Sequence, residues 1–167
     1  MSYPVNFSHV GISVPDIEKA MQFYIKALGF YHIAGPIEVN ENEDNHLSFI
    51  SKKIYGQGWK KFKFAHLSSA DGIGLEIFEF ANNSEKKSDN SSFKTSVFHF
   101  CVQHPNIEEM IERIVSHGGK ETMPPQEMYP GKKLYKMAFT EDPFGNSIEI
   151  YTHAYELQNV GNNGSIT

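Results

Sequence analysis

From residue 6 to residue 14 the chain alternates. Val10, Ile12 and Val14 fall on one face, and Phe7, His9, Gly11 and Ser13 on the other. A period of two predicts a strand with its apolar face against a helix. Asp16 is placed to cap that helix. Ala20, Phe23, Tyr24, Ala27 and Leu28 then recur at helical spacing until Gly29 stops it. Residues 30–39 read as a second strand and 62–67 as a third. The acidic, Asn-rich stretch 40–46 and the Lys/Gly-rich stretch 52–61 read as loop. Asp71-Gly72 marks a hairpin turn into a fourth strand over 75–80.

The same order then recurs. Residues 97–103 alternate, with Phe98, Phe100 and Val102 opposed to Val97, His99, Cys101 and Gln103. Asn106 and Glu109 form a capping box. Ile107, Met110, Ile111, Ile114 and Val115 make the apolar stripe of a helix ended by Gly118-Gly119. Pro124-Pro125 opens an irregular loop reaching Lys133. Residues 134–140 read as a strand, 141–146 as a turn and 147–152 as the last strand. The chain is therefore one unit used twice, a pattern that governs every other reading. The expected division is a first module over 1–82, with an insertion at about 36–62 that decorates or covers a site. A polar linker over 83–94, a second module over 95–157 and a flexible tail over 158–167 complete it.

Parity selects the chemistry. Glu76, Phe78 and Phe80 share one face of the fourth strand and Leu75 and Ile77 the other, while Glu149 and Tyr151 oppose Ile148 and Ile150. Each module thus sends one histidine and one glutamate to the side away from its helix. A lone buried histidine is ordinarily a hydrogen-bonded core residue. Four residues at duplicated positions with matching parity are a different case. His9, Glu76, His99 and Glu149 are the expected ligands of one divalent first-row ion per site, be it nickel, zinc, cobalt, manganese or iron. Two inward carboxylates on apolar strands need such a compensating charge. Glu79, on the opposite parity, and His153, near a strand end, rank below these four.

Composition narrows the class. With 167 residues, 40% hydrophobic and 21% charged, the chain can bury a core. A net charge of −5 speaks against nucleic acid, no apolar run suits a membrane, and a lone Cys101 precludes an internal disulfide. No signal peptide is visible at the N-terminus, so a cytoplasmic location is expected.

With these motifs in view, the sequence resembles the vicinal oxygen chelate superfamily, which unites glyoxalases, bleomycin-resistance proteins and dioxygenases. The resemblance rests on His9-Val10-Gly11-Ile12-Ser13-Val14-Pro15-Asp16, Phe23-Tyr24 through Leu28-Gly29-Phe30, Leu75-Glu76-Ile77-Phe78, His99-Phe100-Cys101-Val102 and Asp142-Pro143-Phe144-Gly145-Asn146-Ser147-Ile148-Glu149, spanning residues 6–153. It implies an α+β fold of two tandem βαβββ modules whose mixed sheets form a cupped half-barrel around a metal. It also implies frequent homodimers, with sites sometimes shared between chains. Carried to this chain, the ligand positions are His9, Glu76, His99 and Glu149. The implied chemistry is a lyase or isomerase of lactoylglutathione lyase type, in which the metal chelates adjacent oxygens of a small carbonyl substrate and stabilises an enolate-like anion. Glu149 is then the base and Glu76 a partner. Phe78, Tyr135, Phe139 and Tyr151 are expected pocket walls, and Tyr129 and Lys132 belong to a loop that closes on substrate. Arg113, the one arginine, lies mid-helix, so no arginine clamp for glutathione carboxylates is present. Two other classes stand beside this one. One is an extradiol dioxygenase on Fe(II) through His9, His99 and Glu149, with His66, His153 and Tyr151 above the ion. The other is a non-catalytic small-molecule binder of the bleomycin-resistance type.

Overall fold

The computed structural model describes residues 5–81, 97, 99–128 and 131–157. The chain divides into two compact units, Met1–Lys86 and Lys87–Thr167. Each holds one four-stranded mixed sheet that does not close on itself, and together the described residues form three α-helices, an α+β architecture.

In the first unit, β1 (His9–Ser13) leads into α1 (Ile17–Leu28), followed by β2 (Tyr31–Asn40), α2 (His46–Tyr55), β3 (Lys61–Ser68) and β4 (Gly74–Phe80). The strand order is β1-β4-β3-β2, with β1 and β4 parallel and the remaining pairs antiparallel. The second unit runs β5 (His99–Gln103), α3 (Ile107–Ser116), β6 (Lys120–Glu127), β7 (Lys136–Glu141) and β8 (Ser147–Tyr151), in the order β5-β8-β7-β6. Duplication reaches individual backbone bonds. Val14 N–H donates to the Phe78 carbonyl at 2.8 Å, and His104 N–H to the Tyr151 carbonyl at 2.9 Å, at corresponding places in the two copies.

The helices begin and end where local chemistry dictates. Asp16 Oδ1 accepts from Lys19 N–H at 2.9 Å, and Gly29 closes α1 in the left-handed region. Asn106 Oδ1 accepts from Glu109 N–H at 3.3 Å, and the Glu109 carboxylate returns to the Asn106 side-chain amide at 3.1 Å. The box therefore closes through the Asn106 amide rather than through its backbone N–H. Ile17, Ala20, Tyr24 and Ala27 of α1, and Ile107 and Ile114 of α3, are fully buried. Beneath them Ile77, Ile148 and Ile150 are also at 0% exposure, so each helix covers the apolar face of its own sheet. Gly119 permits this in the second unit. A Cβ there would stand 2.6 Å from both the Glu141 carbonyl and Ile114 Cγ2.

Three sequence expectations need correction. The loops expected over 40–46 and 52–61 flank and run into a helix, α2, which buries its serines and exposes its large residues. Ser48 is 0% exposed and Ser51 3%, whereas Phe49 is 55% and Ile54 65% exposed. The irregular loop expected from Pro124 begins inside β6, an edge strand bonded to β7 alone. Its register slips between Met123 and Gln126, the stretch that holds both prolines. Proline lacks the N–H that a central strand needs, and an edge strand with a bulge tolerates it. Val115, expected in the buried stripe, is 49% exposed. The linker over 83–94, the tail over 158–167, Phe98 and Tyr129 lie outside the described residues.

The turn before β8 is held by one buried carboxylate. Asp142, 3% exposed, accepts from Phe144 N–H at 2.9 Å, Asn146 N–H at 2.8 Å and the Asn146 side-chain amide at 2.7 Å. Asp142→Ala leaves these donors without that acceptor, at an expected cost of about 2 kcal/mol. Urea unfolding monitored by circular dichroism checks this, with exposed Asp71→Ala as a control that costs less.

Candidate metal centre

Parallel pairing of the outer strand with the glutamate strand brings the first histidine and glutamate together. His9 pairs with Gly74, and Gly11 with Glu76. His9 Nε2 stands 3.5 Å from Glu76 Oε2. The Ser8 hydroxyl, 3.2 Å from His9 Nδ1, holds the ring from behind. Gly74 leaves it room, because a Cβ at that position would lie 2.9 Å from His9 Cβ. In the second unit His99 pairs with Ser147, and Cys101 with Glu149. His99 Nε2 stands 3.2 Å from Glu149 Oε2. The structure thus brings together each module's expected histidine and glutamate, on the face that strand parity predicts.

The two pairs differ in surroundings. The Glu76 side chain is 26% exposed and that of Glu149 only 9%. Across the sheet Glu76 faces His66, whose Nδ1 is 3.3 Å from Oε1, while Glu149 faces Phe139. Phe139 meets the His99 ring edge-on at 5.6 Å. His9, His66 and Glu76 line a cleft of about 230 Å³ together with Ser8, Ile33 and Gly74. Cys101, on the same face as Glu149, has its thiol pushed up to about 12 by crowding and by the Glu149 carboxylate. It remains a neutral thiol beside the glutamate.

The expected pocket residues separate into groups. Phe78, half-buried on β4, packs against the bare backbone of Gly11 and stacks with Phe64 and Phe80. This aromatic row continues into a small core of Val39, Trp59 and Phe62. Tyr55 at the end of α2 packs edge-on against Phe62 and Phe80. Its hydroxyl is raised above the usual range by burial and then by the charge of Glu76. The insertion therefore covers part of the glutamate-bearing face of the first sheet. In the second unit Tyr151 is buried and stacks on His153 at 5.2 Å, with Tyr135 edge-on to the same ring at 5.1 Å. Lys132 is exposed in the turn before Tyr135.

Glu79 faces the helix side, as its parity predicts. Its Oε2 accepts from Ile17 N–H at 2.8 Å. Asp16, Glu18 and Glu79 offer oxygens within 4.8 Å of one another. Those oxygens already cap α1 or pair with Lys63, at 3.1 Å from Glu18 and 3.6 Å from Glu79. An ion there would have to displace the lysine. Along the sequence His66 is a candidate for ring-cleavage chemistry alone, and Ser8, Tyr55 and Cys101 are not among the expected site residues. Parity places His66 and Cys101 on the right face. Tyr55 carries no such signal, because its helix lies in a stretch whose Lys/Gly composition predicts loop.

A family model described as Glyoxalase/Bleomycin resistance protein/Dioxygenase superfamily matches residues 6–150. Among solved structures, a glyoxalase-family protein from Bacillus cereus superposes with a TM-score of 0.68 at 17% identity, over 90% of this chain and 95% of that one. Glyoxalase I from Zea mays gives 0.61 at 19% identity, over 89% of this chain and 44% of that one, so this chain spans less than half of the maize enzyme. A glyoxalase-family protein from Enterococcus faecalis gives 0.58 at 21% identity, over 87% and 96%. At these identities the likeness concerns the fold. No curated protein sequence matches the chain. Among the described residues no helix is long and apolar enough to cross a membrane.

His153 supplies a pH test. It is 7% exposed, neither ring nitrogen has a hydrogen-bond partner among the described residues, and burial lowers its basicity below that of a free imidazole. The unfolded chain therefore takes up this proton first. Stability from this group is complete above about pH 6.5 and falls as pH drops toward the lowered folded value. His153→Phe is expected to flatten that decline, by at most about 1.4 kcal/mol per pH unit, the limit for one proton. Urea midpoints between pH 5 and 8 measure it.

Proposed function

Because the chain belongs to the Glyoxalase/Bleomycin resistance protein/Dioxygenase superfamily, we propose that it is a metal-dependent lyase or isomerase that moves a proton at carbon beside a carbonyl. The supporting observation is the buried carboxylate of Glu149. Among the described residues its ionic partner is the His99 imidazole. A carboxylate so enclosed, next to a thiol and a phenyl ring, calls for a stronger positive charge than an imidazole supplies. Two imidazoles and two carboxylates form a donor set suited to a first-row divalent ion.

In this reading His9, Glu76, His99 and Glu149 hold the ion, from one chain or from two. The ion, when bound, supplies Lewis-acid stabilisation of the negative charge that builds as the proton leaves. Glu149 takes the proton and returns it, from the drier of the two settings. His9, braced by Ser8, and His99, against Phe139, keep their Nε2 atoms turned to the glutamates. Phe78 and Phe139 exclude water beside them. Tyr151 and His153, which ring cleavage would want above an ion, are stacked and buried instead. That favours proton transfer over dioxygenase chemistry.

Elemental analysis of the purified protein is expected to find a bound divalent ion. With nickel, zinc or cobalt restored after chelation, the protein should convert the methylglyoxal–glutathione adduct. Glu149→Gln should lower that rate at least ~10²-fold, the usual contribution of a positioned base, while circular dichroism stays unchanged. A wild-type rate in this variant would remove Glu149 from the role. Absence of any bound or bindable metal would reject the reading as a whole.

A further inference from the structure

We propose that His66 is a positioning residue that pins Glu76 as a lasting ligand of the ion and leaves Glu149 as the carboxylate free to move. The inference rests on the metal-centre reading above. Glu76 lies between two imidazoles, with His9 Nε2 at 3.5 Å from Oε2 and His66 Nδ1 at 3.3 Å from Oε1. His66 reaches it across the sheet as its direct register partner. The ring of Phe64 meets His66 edge-on at 5.2 Å and 88°, restricting the imidazole plane. A proton on His66 Nδ1 lies within ion-pair reach of Oε1, the oxygen that His9 does not face.

The second module lacks this restraint. At the register position of His66 it carries Phe139, which has no proton to donate. At the position of Gly11 it carries Cys101, whose thiol is a weak donor. Two chemically identical carboxylates in duplicated strands are thus held unequally. Groups that orient a ligand from behind lower the ordering cost of binding, and their removal typically weakens metal affinity 10–100-fold. A glutamate held from the far side also cannot swing off the ion without giving up its second partner. Glu149 has only the weak donor of the Cys101 thiol to give up.

The test is Co²⁺ titration of the full chain, followed by calorimetry and by the visible spectrum of the bound ion. His66→Phe places at this site the residue that its duplicate already accommodates, so the fold is expected to survive. It should weaken Co²⁺ binding by about 10–100-fold and shift the spectrum. His66→Gln keeps an N–H donor and should recover most of the loss. Phe139→His gives Glu149 the same tether and should tighten binding. His66→Phe binding Co²⁺ as wild type does, with an unaltered spectrum, overturns the inference. So does His66→Gln binding as weakly as His66→Phe. Failure of the wild-type chain to bind Co²⁺ at all overturns both this inference and the function it rests on.

Discussion

Each module depends on its first strand lying parallel to its last. Parallel neighbours require a crossover, and the crossover helix must cover one face of the sheet. The apolar half of each strand goes under that helix, where Ile77, Ile148 and Ile150 are fully buried. The other half is left for chemistry. The parallel register then sets His9 near Glu76 and His99 near Glu149, residues far apart in sequence. Backbone hydrogen bonding positions these pairs, and the side chains add only local adjustment. That explains how two copies sharing little sequence hold the same pair at 3.5 and 3.2 Å.

Around this common frame the two modules have diverged. In the first, a longer excursion between β2 and β3 brings α2 and Trp59 onto the glutamate-bearing face and fills it with aromatic rings. In the second, a stacked Tyr151 and His153 occupy the corresponding territory, and the glutamate is the more enclosed of the two. One carboxylate is bracketed by imidazoles, the other by an imidazole, a thiol and a phenyl ring. Duplication supplied the backbone twice; substitution at Gly11/Cys101 and His66/Phe139 made the copies chemically distinct.

Much of this was legible along the chain, because a strand's period of two sorts side chains before any tertiary contact exists. Alternation in 6–14, 75–80 and 147–152 was enough to put His9, Glu76 and Glu149 on the face opposite the helix and Glu79 on the helix side. Capping at Asp16 and Asn106 was equally local, being a matter of three residues. The failures share a cause. Helix α2 buries Ser48 and Ser51 and exposes Phe49 and Ile54, so its apolar residues mark the wrong face. Strand β6 carries two prolines that only an edge position with a slipped register can accommodate.

The sequence by itself determined the repeat, the caps of α1 and α3 and the parity of the histidines and glutamates, since these follow from residue spacing along the chain. Tertiary structure alone decided that His66 stands against Glu76 and Phe139 against Glu149, that Tyr55 falls within reach of the Glu76 charge, and that Glu149 is drier than its twin. Those relations depend on which residue of a neighbouring strand lies opposite, and register between strands is a property of the folded sheet.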